Sequence, residues 1–420
     1  GSPMNLLHLL RWLVEERSEE VDVEVLALVG GALESRFRDL ATVTVLDPGP
    51  ATAALAALQG GLQHLGSSRA WMPVAAARLR PQLRRLGRPD LVYCNSLPAV
   101  SVVPYLKEHG PVVAHAHELE VAFRLMRPHD QQEYRSLPDH YIAASGAVRD
   151  MLVDTVELPE ESVSTHHEFI DARALAEYRV DLREQETLRR SLRLPADAAV
   201  VVGAGTVEWR KGADLFVQLA GEVRRRRAEP VHFVWVGGDL TSADWQRVRS
   251  DMNRSGADHV HFVGVKPDPR PWFCLGDVFA LCSREDPYPL VALENAALGK
   301  PIVTYRNGGL PELLEAAGPD ASSGVVDHLD VGAMADATIA MLDDDLRSRA
   351  AGKSLQEYVL VNHDVAVAAP VLWSELRQIV REGIAGLSDK HQAVVVLYYL
   401  EGLSLQETAD QLGLPLGTVK

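Results

Sequence analysis

The chain of 420 residues contains only three cysteines, Cys94, Cys274 and Cys282. They are too few and too scattered for a disulfide scaffold or a four-ligand zinc site, which points to a reducing, cytoplasmic setting. No run approaches the ~20 apolar residues that a membrane-spanning helix needs. Positive charge is also short: 42 Lys and Arg stand against 58 Asp and Glu, a net charge of −16. That excludes a nucleic-acid-like basic balance for the chain as a whole, so any phosphate must be held by a local pocket. There is no repeat of fixed period and no low-complexity tract.

What remains is ordinary globular composition, 47% hydrophobic and 24% charged, on a chain long enough for two or three domains. We set Gly1, Ser2 and Pro3 aside as foreign to the fold. "MNLLHLLRWLVEER" then carries apolar residues at 6, 9, 10, 13 and 14, which fit one face of an amphipathic surface helix rather than a signal peptide. Apolar runs at 21–30, 41–46, 90–96, 111–118 and 140–145 read as strands, with helical stretches between them. A charged stretch at 181–198 reads as a helix and crossover linker. A second series of strands follows at 199–205, 231–238, 259–264, 277–283, 300–305 and 323–327, with helices near 212–227, 243–254, 290–298 and 331–342. This is an α/β chain with two domains in series, 4–180 and 199–365, and a ligand cleft between them. A returning helix is expected at 366–383, and a small all-α tail at 384–420.

The stretch "REDPYPLVALENAALGKPIV" places Asp286 and Glu294 eight residues apart. Pro287 and Pro289 keep Asp286 out of a helix, in the loop after the strand at 277–283. Pro289 suits the first helical position, and Gly299 and Pro301 end the helix. The free N–H groups of its first turn form an anion site at the carboxyl end of the strand. Acids beside such a site are better explained as acceptors for sugar hydroxyls than as phosphate contacts, and a ligand with both groups is a nucleotide sugar. On spacing alone, a helix cap at Asp286 and a solvated Glu294 are the commoner outcome.

A second constellation, "GAGTVEWRKGAD" at 203–214, follows a strand and opens a helix. It is neither a dinucleotide fingerprint, since Glu208 occupies the third glycine position, nor a Walker loop. Arg210 and Lys211 sit at the turn, where they could clamp a diphosphate or simply form a surface basic pair.

In order along 199–345 come Gly205 to Lys211-Gly212, "WVGG" at 235–238, "HFVG" at 261–264, the two acids, "ALGKPIV" at 297–303 and "GGLPELL" at 308–314. This set resembles the donor-binding half of retaining glycosyltransferases of family 4, with the GT-B fold of two Rossmann-like domains facing a cleft. The resemblance implies that Gly205, Arg210 and Lys211 serve the donor diphosphate. It implies that the N–H groups of Leu290 and Val291 cap a phosphate, that Glu294 holds the ribose hydroxyls and that Asp286 contacts the transferred sugar. The first acid is Asp286 where the family usually has Glu, and Thr206 stands where an arginine is common, with Arg210 as its substitute. The first half is more loosely similar to the acceptor domain: in "HAHELE", 115–120, His117 matches a histidine near the reacting sugar, followed by Glu118. The family's opening strand and glycine-rich loop are not found ahead of the first helix, and activity is weighed against that.

The resemblance implies a sugar transferase, retaining, using a nucleotide-diphosphate sugar as co-substrate with no cofactor and no metal. Its acceptor would be a carbohydrate, a lipid-linked or a small molecule. "DDD" at 343–345 reads as a solvated acidic cap. The segment 384–420 resembles the fourth conserved region of extracytoplasmic-function sigma factors, a helix-turn-helix, with a capping box at Ser404 and Glu407 and a C′ glycine at Gly413. Residues 375–420 hold four basic (Arg377, Arg381, Lys390, Lys420) and six acidic side chains (Glu375, Glu382, Asp389, Glu401, Glu407, Asp410), net −2. DNA affinity rests on phosphate neutralisation, so this segment is expected to bind DNA poorly. Val394, Val395, Leu397 and Tyr398 could instead form a homodimer contact. The rival to an enzyme is a sugar-nucleotide-responsive regulator, a degenerate transferase governing the helix-turn-helix.

Overall fold

The computed structural model describes residues 1–46, 68–84, 86–106 and 109–385. The tail read as a helix-turn-helix, with Ser404, Glu407, Gly413 and its apolar residues, lies outside the described residues. The strands run β1 (Glu24–Ala27), β2 (Thr42–Val45), β3 (Val92–Cys94), β4 (Val112–Ala116), β5 (His140–Ala143) and β6 (Val163–Thr165) in the first half. They continue as β7 (Ala199–Ala204), β8 (Val231–Val236), β9 (Val260–Phe262), β10 (Val278–Leu281), β11 (Ile302–Tyr305) and β12 (Val325–Val326). The helices that bear on the site are α1 (Ser2–Glu16), α2 (Gly146–Asp150), α3 (Ala213–Arg226), α4 (Leu290–Ala297), α5 (Leu310–Ala316), α6 (Asp345–Asn362) and α7 (Val365–Ala385).

The second-half sheet has the order β12-β11-β10-β7-β8-β9, all parallel. Its central strands are apolar on both faces because helices cover both. Val200 and Val202 of β7 face one core with Phe279 and Leu281 of β10, while Val201 faces the other with Val278 and Ala280. Side chains alternate across a strand, so an uninterrupted apolar run is what a doubly covered strand requires. Helix α3 closes the second core with Leu215, Phe216, Leu219, Ala220 and Val223, a three-to-four residue spacing.

The first half holds a parallel four-stranded sheet, β3-β4-β5-β6, and a separate parallel pair, β1-β2. The pair packs near β3, with Val25 and Tyr93 in one apolar cluster, but forms no ladder with it. Strand β6 went unread, since "VSTHH" supplies one strong apolar residue for a short edge strand. Helix α1 differs from a simple surface helix in two ways. Ser2 and Pro3 form its first turn, a position that suits proline. Leu7 and Trp12 are buried beside Leu9, Leu10 and Leu13, while Val14 is exposed. The cause is that α1 is covered on two sides: Leu9, Leu10 and Leu13 share a cluster with Val113 and Ile142 of the sheet and with Ala369, Leu372 and Leu376 of α7.

Helix α7 thus returns from the second domain to the first, and a polar clasp fixes it there. Glu375 meets the rings of His140, at 2.9 Å, and His166. Burial alone raises the Glu375 carboxyl, but these rings and the Ser164 hydroxyl hold it well below the usual carboxylate range. A depressed native pKa contributes stability above the unfolded-state value, and that stability is lost as pH falls through the native value. Glu375→Gln is therefore expected to destabilise the fold by about 2 kcal/mol near pH 7. The difference from the parent should shrink as the pH is lowered below about 4. Urea unfolding at a series of pH values measures it.

Candidate functional site

The second-domain side of the cleft is built from two loops at the carboxyl ends of adjacent strands, after β7 and after β10. Gly205 follows β7 with φ 149°, and the Lys211 stem lies across it, 3.2 Å from where a Cβ would stand. Trp209–Lys211 form one 3-10 turn, and Gly212, at φ 69°, starts α3. A Cβ on Gly212 would come within 2.0 Å of the Cys282 carbonyl oxygen. Glycine is required here both by the left-handed backbone and by the packing of one loop on the other.

Polar contacts tie the two loops together. The Arg210 carbonyl accepts from the Arg284 N–H at 2.7 Å. Arg284 grips Asp214, in the first turn of α3, through two bonds of 2.8 and 2.7 Å. The Arg210 guanidinium donates to the Glu285 carbonyl at 3.3 Å and meets Glu208 at 3.2 Å. Lys211 donates through Nζ to Asp286 Oδ2 at 2.7 Å, and the Ser283 hydroxyl donates to the same oxygen at 3.0 Å. Asp286 is 5% exposed, and its other oxygen, Oδ1, takes no bond from any described residue.

Helix α4 begins one residue later than proline preference suggested. Pro289 is its N-cap, in an extended conformation, and Leu290 is the first helical residue. The Pro289 carbonyl is taken by the N–H groups of Ala292 and Leu293, at 3.0 and 3.3 Å. The N–H groups of Leu290 and Val291 have no acceptor among the described residues. Glu294 lies one turn further, half-buried, and its carboxylate likewise has no hydrogen-bond partner among the described residues. Burial pushes it up to about 7. The Asp286 carboxylate also acts on Glu168 of the first domain, across the cleft. Thr206 is exposed, and Asp344 of "DDD" caps α6 by accepting from the Arg347 N–H at 3.0 Å.

On the first-domain side, His117 follows β4. Its Nδ1 is 2.5 Å from Glu168 Oε1 and its Nε2 is 2.9 Å from Asn95 Oδ1. Glu118 turns back to accept from the N–H groups of His117, at 3.0 Å, and Leu97, at 3.2 Å. Burial pushes Glu118 up to about 7, against the pull of those two bonds. Glu168 and Asn95 were not singled out in the sequence. The signal for Glu168 was an acid set directly before the apolar pair Phe169-Ile170, at a place where burial was foreseeable.

Glu312, inside the quoted "GGLPELL", joins the domains. It accepts from the N–H groups of Gly146 and Ala147 at 3.0 and 2.9 Å, capping α2 of the first domain from α5 of the second. The His167 ring meets it at 3.2 Å. Burial alone raises Glu312, but the ring and the two N–H donors pull it below the usual carboxylate range.

Two parallel α/β domains with a strand-end cleft between them define the GT-B fold. Solved structures agree: HepE of Anabaena, in complex with UDP and glucose, superposes with a TM-score of 0.71 over 90% of this chain and 96% of that one, at 18% identity. Sucrose-phosphate synthase from Thermosynechococcus elongatus gives a TM-score of 0.68 over 90% and 93%, also at 18% identity. In sequence, residues 7–174 match the family model Glycosyltransferase Family 4, and residues 198–344 match Glycosyl transferases group 1. Each half of the chain is thus similar to a glycosyltransferase family model, the first half to family 4. A third model, Sigma-70 region 4, matches residues 383–420.

Among curated proteins, D-inositol 3-phosphate glycosyltransferase of Corynebacterium diphtheriae is 30% identical over 221 residues, half of each chain. The GDP-mannose-dependent alpha-(1-6)-phosphatidylinositol monomannoside mannosyltransferase of Mycolicibacterium smegmatis is 33% identical over 176 residues, 40% of this chain and 44% of that one. The chain spans no more than half the length of these curated relatives.

The loop packing predicts that Gly212→Ala destabilises the protein by about 3 kcal/mol or more, from strained backbone and overlap with the Cys282 carbonyl. Thermal melts of the two proteins measure the difference.

Proposed function

We propose that the chain transfers a sugar from a nucleotide-diphosphate sugar to an acceptor hydroxyl, with retention of configuration. In this reading 199–365 is the donor domain and 4–180 the acceptor domain. The observation that carries it is a set of unsatisfied groups of complementary kind around one cleft. Among the described residues the Leu290 and Val291 N–H groups lack acceptors, while Asp286 Oδ1 and the Glu294 carboxylate lack donors. A ligand with phosphate oxygens and sugar hydroxyls completes both sets.

Lys211 gives one of its three protons to Asp286 and keeps two for the diphosphate, with Arg210 beside it. Glu294 accepts from the ribose hydroxyls. Asp286 Oδ1 accepts from a hydroxyl of the transferred sugar, and His117 stands on the acceptor side. In a front-face displacement the bond from the anomeric carbon to the diphosphate breaks as the bond to the acceptor oxygen forms on the same face. The acceptor proton passes to the departing phosphate oxygen. The helix terminus and Lys211 stabilise the charge that develops there, an electrostatic form of catalysis.

The names of similar proteins support the donor class: one curated relative is GDP-mannose-dependent, and HepE has been solved with UDP-glucose. They leave base, sugar and acceptor open for this chain. Likeness to transferases in both halves disfavours the regulator.

Thermal shift with UDP, GDP, ADP and their sugar conjugates tests the reading. Ligand at about 100 times its Kd adds about 2.7 kcal/mol, a visible rise in Tm. The rise is expected with one base and lost in Lys211→Ala and Glu294→Ala; no rise with any ligand would sink the proposal. Because protonation removes acceptor capacity, nucleotide affinity should fall as the pH drops below about 7. Calorimetry at several pH values should show this fall flattened in Glu294→Gln, and an equal fall in both proteins would reject the role of Glu294.

A further inference from the structure

Glu168 is 2% exposed and follows β6 on the segment that meets the second domain, where Ile170 bridges to Asp364. Its main-chain oxygen lies 3.0 Å from His363 Nδ1, and His363 Nε2 lies 3.1 Å from the Tyr288 hydroxyl. A peptide oxygen can only accept, so His363 carries its proton on Nδ1 and Tyr288 donates to Nε2. The loop that bears Asp286 therefore also anchors the backbone of Glu168.

A chain of obligate acceptors fixes the protons on His117. The Ser2 carbonyl can only accept, so Asn95 turns its NH2 group toward it, at 3.0 Å. The Asn95 amide oxygen then faces His117 Nε2, and that nitrogen must carry a hydrogen. The contact of Nδ1 with Glu168 Oε1 requires one proton between them. Either a carboxylic acid donates to a bare nitrogen, or an imidazolium donates to a carboxylate.

The surroundings decide between them. The His115 ring lies 4.0 Å from the His117 ring, centroid to centroid, and itself meets the Tyr93 hydroxyl. The His115 ring and the Asp286 carboxylate act on Glu168, and Glu118 stands next to His117 on the strand end. Burial pushes Glu168 up to about 7 and His117 down to about 3, so both are driven toward their neutral forms. Glu168 Oε2 is buried with no partner, a heavy penalty for a carboxylate and a lighter one for an acid.

We propose that Glu168 is a positioning residue for His117: as a neutral carboxylic acid it donates to Nδ1 and holds the ring as its Nε2–H tautomer at the acceptor side of the cleft. Its bearing on turnover rests on the sugar-transfer reading above. The tautomer itself does not.

The test is long-range 1H–15N correlation NMR on the full chain labelled at histidine nitrogen, with the His117 signals assigned by their loss in His117→Gln. At pH 6, His117 should show a bare Nδ1 and a protonated Nε2. Glu168→Gln should keep that pattern, since its amide donates as the acid does, and Glu168→Leu should keep the tautomer, which Asn95 fixes, while the Nδ1 signal moves to that of a bare nitrogen with no donor. An imidazolium in the parent, or an Nδ1 signal that does not move in Glu168→Leu, overturns the proposal. In donor turnover, Glu168→Leu should lower kcat by up to about 100-fold while KM for the donor stays within about twofold, and Glu168→Gln should restore kcat. If the NMR pattern holds and even the parent turns over no donor, the transfer reading fails and the role of Glu168 stands. If the parent turns over donor with an imidazolium at His117, the role of Glu168 alone fails.

Discussion

The second-domain side of the cleft depends on one ion pair. Lys211 and Asp286 come from loops after two neighbouring strands, and their 2.7 Å contact is largely shielded from water. Such a pair gains little net stability, because two charges have left water to make it. What it fixes is geometry. The ammonium is held at the strand ends, and the acid is held with one oxygen used and the other open. The loops could not support the pair unless their backbones nearly touched, which is why a glycine stands against the Cys282 carbonyl. Arg284, bound through two hydrogen bonds to Asp214, keeps the same two loops in register from the other side.

The cleft is acid-rich, but its acids differ in state. Asp286 is paired with a cation, whereas Glu294, Glu118 and Glu168 are each pushed up to about 7 by burial. A diphosphate approaching this cleft therefore meets less negative charge than the sequence suggests. An acidic chain can hold a phosphate-bearing ligand when burial keeps nearby carboxyls close to neutral and places the cations and free N–H groups at the strand ends.

The second domain was largely legible because its physics is local. Continuous apolar runs marked β7 to β12 wherever helices cover both faces, and prolines and glycines marked the limits of α4. The first domain was less legible, since β6 is a short edge strand and α1 is buried on two sides by segments far away in sequence. The same distinction holds at the site. Arg210, Lys211, Asp286 and Glu294 could be singled out because each sits beside its own turn signal. Asn95 and Glu168 could not, since they matter only through His117, 22 and 51 residues away. Glu312 stood inside a quoted motif, yet its partner, the amino end of α2, lies 165 residues back in the chain.

That cap gives the two domains a shared element of secondary structure. Helix α2 runs on into a π-helical turn at Met151–Thr155, and two of its first N–H groups are satisfied by a carboxylate that belongs to the other domain. Moving the domains apart would leave that end exposed, and charge-assisted bonds of this kind contribute about 1.5–3 kcal/mol each. The end of a helix frays readily once its cap is gone. Cleft opening thus uncovers the Gly146 and Ala147 N–H groups, and these two amide hydrogens would exchange with solvent as the domains part.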